Sequence, residues 1–307
     1  MHTPRGADYV DGVFYPVDWL QIVVNPSFAL RLTHMLLASF ITTGFFVAGV
    51  YAWYLVHGRE RDFAVPGLRR VIGLLALLLP AQIVVGDLHG LKAYQHQPMK
   101  VAAIEGLWET RSQAPLLLFA LPDPAKERNS FELGIPKGAS LLLEHEADGI
   151  VRGLKEVPAE DRPPVARVFF FFRVMVGIGA LMLFIAWLGA WYRRRNDLEQ
   201  RKRYLRLLTW FAPSGFVATL AGWYVTEMGR QPWAVYGYLR TAEAASILPP
   251  EQVLVSLVTF VALYSALFAT YLYFLLRLIK RGPGEYARQI ELQTPPRARP
   301  AFLASGK

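Results

Sequence analysis

Apolar residues in this chain fall in long blocks rather than at the three-and-four spacing of an amphipathic surface helix. A helix that crosses the hydrocarbon core of a bilayer needs about 20 predominantly apolar residues. Five stretches supply them: 28–56, 71–91 (loosely), 165–192, 205–226 and 253–279. Five helices that are apolar on every face do not fit a water-soluble chain of this size. The pattern therefore predicts an all-α, polytopic membrane helix bundle with five transmembrane helices and one long connection.

That connection, residues 92–164, contains PDPAKERNSF and EVPAEDRPP, both turn-rich and charged, so much of it is expected to be irregular. Connections of this length are usually functional or disordered. Its first part, MKVAAIEGLWET, reads differently. Lys100, Ile104, Glu105, Trp108 and Glu109 recur at helical spacing, which predicts a short amphipathic helix on the membrane surface. The chain has no internal repeat and no low-complexity segment.

Composition agrees, with 53% hydrophobic residues, and the net charge of +9 adds an orientation. Arg59, Arg61, Arg69 and Arg70 crowd the first hairpin, and Arg193, Arg194, Arg195, Arg201, Lys202 and Arg203 the third connection. Arg277, Lys280 and Arg281 open the C-terminal tail. Short loops rich in lysine and arginine stay in the cytoplasm, so the N-terminus and the long loop are expected outside and the C-terminus inside. The arginines are thus a topology signal and not a nucleic-acid surface. The chain has no cysteine, which removes disulfides, thiolate metal sites and cysteine catalysis. Residues 1–27 show neither a basic leader nor a clean apolar core. An outside segment without an export device is expected of a chain that starts within a longer one.

Ionisable residues at membrane depth are costly and mark candidate functional sites. His34 lies about two turns into the first apolar block, and Met175 at comparable depth in the third; both fall near outer helix ends. By position alone, His34 reads equally well as a histidine bonded to a neighbouring helix, whereas a methionine placed as Met175 is far more often ordinary packing. A histidine and a methionine from facing helices also form an axial pair for a low-spin haem iron. Arg173, two residues before Met175, could fork onto a haem propionate. Glu227 ends the fourth block at the same depth, with Trp223 before it and Arg230 after it. An interfacial ion pair capping the helix explains Glu227 and Arg230 without any ligand, and tryptophans are common at membrane interfaces.

Taken together, NPSFALRLTHMLLASFITTGFFVAGVYAWYL, GDLHG, QPMKVAAIEGLWET, FFRVMVG and WYVTEMGRQPWAVYGYLRT resemble subunit I of cytochrome bd-type quinol oxidases. They stand in that family's order, and the resemblance weakens only mid-loop and after about residue 282. It implies that His34 and Met175 are the axial ligands of haem b558, with Arg173 stabilising that haem. Lys100 and Glu105 match the quinol-binding loop. Glu227 matches the iron ligand of haem b595, with Trp223 and Arg230 around it. The resemblance further implies electron transfer from ubiquinol or menaquinol to oxygen in a bacterial cytoplasmic membrane, alongside a subunit II and a small accessory subunit. The short loop places the chain in the short-quinol-loop, cyanide-insensitive-like branch. Four further family helices, one with the histidine of haem d, have no counterpart here, so the chain is expected to be the C-terminal portion of such a subunit. Two alternatives stay open: a haem b electron-transfer protein that binds quinol without reducing oxygen, and a cofactor-free membrane relic.

Overall fold

The computed structural model describes residues 2–245 and 247–285; the C-terminal tail beyond, whose cytoplasmic placement was expected, lies outside the described residues. In chain order the helices are α1 (Trp19–Val23), α2 (Phe28–Val56), α3 (Arg61–His96), α4 (Pro98–Glu105), α5 (Gly138–Glu144), α6 (Val165–Arg194), α7 (Lys202–Phe211), α8 (Ser214–Met228) and α9 (Pro250–Arg281). The strands form four antiparallel pairs: β1 (Ala7–Val10) with β2 (Val13–Pro16), β3 (Arg111–Ser112) with β6 (Ile150–Val151), β4 (Leu116–Asp123) with β5 (Arg128–Ile135), and β7 (Trp233–Val235) with β8 (Leu239–Arg240).

Four helices (α2, α3, α9 and the one containing α6) are long and apolar enough to cross a membrane. The predicted span 205–226 is divided instead, because Pro213 has no N–H to continue the helical ladder and its ring crowds the turn before it. The halves α7 and α8 still run from one end of the bundle to the other. Tyr204 donates to the Ile185 carbonyl at 3.0 Å, a Cβ on Gly49 would come 2.5 Å from that of Ala212, the Thr42 and Thr219 hydroxyls are 3.3 Å apart, and Lys100 Nζ lies 3.4 Å from the Thr226 carbonyl.

These contacts arrange α2, α3, α6 and α8 as a ring: α2 and α6 both pack on α3 and on α8 and stand diagonally across it. At one end Arg69 pairs with Glu199 at 2.9 Å and Arg59 donates to the Arg281 carbonyl at 3.2 Å, so the arginine-rich segments converge there. We call this the arginine end and the opposite one the loop end. The main core lies in the arginine half, where Ile41, Phe45, Leu68, Ile72, Leu75, Leu79, Met182, Ile185, Leu205 and Leu208 are buried together. Towards the loop end that core stops. No residue of α2 before Ile41, of α3 after Leu79, or of α6 between Phe169 and Met182 is fully buried.

Three expectations are corrected. Helix α3 is longer than 71–91, so Arg61, Arg69 and Arg70 ride on its first turns rather than in a hairpin loop. The loop is ordered: β4 and β5 make a hairpin whose Leu117 and Ala120 pack with Phe169 of α6. Finally, α4 is not a surface helix. Met99 through Glu105 are all buried, and the helix stops at Gly106, whose φ of +67° suits glycine. A Cβ there would sit 3.1 Å from the Phe169 ring. The alternation of Lys100 and Glu105 with apolar residues suggested a wet face, but the loop folds over it.

Close approach of α2 and α7 requires Gly49. Gly49→Val is expected to destabilise the folded chain by about 1–3 kcal/mol through overpacking. Thermal unfolding in detergent should show a lowered midpoint; an unchanged one would place the α2–α7 contact elsewhere.

Candidate functional site

Near the loop end, His34 on α2 faces a single stripe of α3. The Gln82 amide donates to His34 Nε2 at 3.2 Å, the His89 ring centroid is 5.8 Å from that of His34, and a Cβ on Gly86 would fall 3.2 Å from His34 Cε1. Residues 82, 86 and 89 share a face because they are spaced four and then three apart. His34 Nδ1 and Gln82 Oε1 are buried without hydrogen-bond partners among the described residues. Across the ring, Met175 points its sulfur at α8, where a Cβ on Gly222 would come 2.7 Å from Sδ. His34 and Met175 are therefore not in contact through a shared neighbour; each is backed by its own glycine, on α3 and α8 respectively.

Above this level lies α4, and its two charged residues diverge. Lys100 turns to α8, where its stem packs on Gly229, and its Nζ approaches the Thr226 carbonyl. Burial, with the Arg31 guanidinium nearby, lowers the Lys100 ammonium to about 8 despite the opposing pull of Glu227. Glu105 turns to α6. Its carboxylate is 3.5 Å from Arg173 Nη2, an ion pair without hydrogen-bond geometry, and Oε2 is buried with no hydrogen bond. Burial raises the Glu105 carboxyl, and Arg173 opposes that rise.

Arg173, expected to fork onto a haem propionate, is bonded within the chain. Its guanidinium bonds the Leu117 carbonyl through Nε at 3.2 Å and Nη2 at 2.6 Å, and the Ile104 carbonyl through Nη1. It also lies 3.7 Å from the Phe169 ring centroid, a cation–π arrangement. Arg173 thus joins α6 to the end of α4 and to β4, and it holds Glu105 against α6, away from the α8 side to which Lys100 turns.

Glu227 and Arg230 pair at 2.8 Å, as expected of an interfacial cap. Trp223 is 57% exposed and meets Tyr224 edge-on, so its indole faces outward and not the ion pair. Arg31, one turn before His34, adds a cation whose charge is felt at Lys100. Neither Arg31, Gln82 nor His89 was singled out from the sequence. The spacing of Gln82, Gly86 and His89 in QIVVGDLH is the signal that marks one polar face inside an apolar helix.

The sequence pattern described as "Cytochrome bd terminal oxidase subunit I" matches residues 1–283. The chain is 34% identical over 295 residues to a cytochrome bd ubiquinol oxidase subunit 1 of Bacillus subtilis (strain 168), covering 92% of this chain and 63% of that protein. It is 29% identical over 352 residues to the cytochrome bd-II ubiquinol oxidase subunit 1 of Escherichia coli (strain K12), covering 90% and 68%. A solved bd oxidase from Geobacillus thermodenitrificans superposes with a TM-score of 0.82 at 32% identity, over 92% of this chain and 65% of that one.

Lys100 yields a stability prediction. Its folded value of about 8 lies below the ordinary lysine value, so the buried charge destabilises the fold below pH 8. The penalty fades as pH rises from 8 towards the ordinary value of about 10.4. Lys100→Met should stabilise the fold at pH 7 by at most about 3 kcal/mol, seen as a raised thermal midpoint, and the advantage should shrink by pH 10. An advantage that does not change with pH would assign the effect to packing.

Proposed function

Because this chain belongs to the cytochrome bd terminal oxidase subunit I family, we propose that it is the quinol-oxidising, haem-carrying part of a membrane-bound quinol:oxygen oxidoreductase. The observation that carries the reading is Glu105: a buried carboxylate with an unbonded oxygen, on the helix that roofs the level of His34 and Met175.

The residues present fit haem. The unpartnered His34 Nδ1 and the thioether of Met175, each against its own glycine, would offer one donor from each of two diagonal helices. His34 and Met175 would hold haem b558, and Glu227, with Arg230 balancing its charge, would hold haem b595; no residue here is assigned to haem d. Bound haem supplies one-electron redox chemistry between quinol and oxygen, and methionine ligation raises its potential.

The chain's own residues do the rest. Residues 92–164 form the quinol loop. Lys100 Nζ orients one quinol oxygen by donating a hydrogen bond, and Glu105 Oε2 accepts the hydroxyl proton as the quinol is oxidised. Burial of Glu105 raises its proton affinity towards that task. Arg173 holds α4 against α6 and keeps the vacated carboxylate charge tolerable. By the positive-inside pattern the arginine end faces the cytoplasm of a bacterial cell, and the quinol loop faces outward. Subunit II and a small accessory subunit complete the assembly, with ubiquinol or menaquinol as donor.

Two measurements test this reading. In membranes containing the assembled oxidase, His34→Ala should abolish the low-spin haem spectrum, whereas Met175→Leu should leave a histidine-bound, high-spin haem. A low-spin spectrum that survives His34→Ala would refute the ligand assignment. Glu105→Gln should slow quinol oxidation about 100-fold or more with the haem spectrum intact. Oxidation at the parent rate would remove Glu105 from the proton step.

A further inference from the structure

The segments 57–70, 193–206 and 277–281 hold fourteen lysines and arginines against four acidic residues, leaving nineteen against twenty in the rest of the chain. The whole positive excess thus sits at the arginine end. A topology signal requires only the charges, but one of them, Arg193, is built into a groove of α3, and Arg70 shares the helical face beside it. The guanidinium of Arg193, at the end of α6, lies in the place a Cβ on Gly73 would occupy, so α3 admits it only because position 73 is glycine. Arg70 stands one turn before Gly73 on the same helical face. Both arginines are exposed, and neither has an acidic partner among the described residues. Their neighbours do have one: Arg69 pairs with Glu199, and Arg201 with Asp197.

Directly deeper, the surface changes character. Leu74 and Leu77 of α3 are 50% and 73% exposed, and Trp187 of α6, 54% exposed, donates its indole N–H to the Ala76 carbonyl at 3.1 Å. Two guanidiniums without an acidic partner among the described residues therefore stand above an exposed apolar, tryptophan-edged surface along one helix pair. Guanidinium forks match phosphate oxygens, and interfacial tryptophan sits at headgroup depth.

We propose that Arg70 and Arg193 hold the phosphate of an anionic phospholipid whose acyl chains lie along Leu74, Leu77 and Trp187 between α3 and α6. The charge of the arginine end favours an anionic lipid over a zwitterionic one, and the apolar surface favours a lipid over a free anion.

The test uses the assembled oxidase, delipidated in detergent and re-equilibrated with equal amounts of phosphatidylglycerol and phosphatidylcholine, with retained lipid counted by native mass spectrometry. The parent should retain phosphatidylglycerol in preference. Arg70→Gln and Arg193→Gln should each lower that preference about fivefold, whereas Arg203→Gln, which removes the same charge at the same end, should leave it largely unchanged. Gly73→Ala keeps every charge but displaces the Arg193 guanidinium, and it should weaken retention too. Equal losses for Arg203→Gln and the groove variants would overturn the site in favour of diffuse attraction. Displacement of the lipid by millimolar inorganic phosphate alone would overturn the part played by the acyl chains.

Discussion

Arg173 is the joint on which the loop end depends. One guanidinium binds the last-but-one carbonyl of α4, the β4 carbonyl at Leu117 and the Glu105 carboxylate, and it covers the Phe169 ring. A two-stranded hairpin is marginal by itself in water, so the β4–β5 hairpin depends on anchors outside itself, of which Arg173 on α6 is one and the packing of Leu117 and Ala120 on Phe169 another. A largely enclosed arginine is tolerated when its donors are met. Here backbone carbonyls meet them, and the loop's own fold supplies those carbonyls. Loop and bundle therefore stabilise each other, and a change at Arg173 reaches α4, β4 and Glu105 together.

Much of the bundle was legible because a bilayer leaves few ways to satisfy a backbone: long apolar runs become helices. The blocks at 28–56 and 165–192 gave α2 and α6 almost to the residue. The fourth block misled because hydropathy does not register the missing N–H of Pro213, and 71–91 was too short because arginines at a helix start look like a loop. The ordered middle of the long loop was not legible at all. Its strands are short, and its burial is decided by contacts with α4 and α6 far away in sequence.

The candidate site divides in the same way. His34, Met175, Glu227 and Lys100 stood out as polar or unusual residues in apolar surroundings. The partners of Arg173 did not, since Leu117 and Ile104 contribute carbonyls, which every residue has. Gln82 and His89 were hidden for another reason. They sit in a helix whose looser hydropathy blurred the one face on which they align with His34.

Helix α9 stands apart from the ring. Its 32 residues include no buried side chain, and among the described residues its side-chain hydrogen bonds to the rest of the chain lie at its last turn, where Tyr54 donates to the Ile279 carbonyl at 2.8 Å. At 1.5 Å per residue it is about 48 Å long, against roughly 30 Å of hydrocarbon. It behaves as a cantilever clamped at one end. Among the described residues the ring helices hold one another's tilt by packing, whereas α9 has no such constraint and is longer than the hydrocarbon is thick, an excess that a helix can accommodate by tilting.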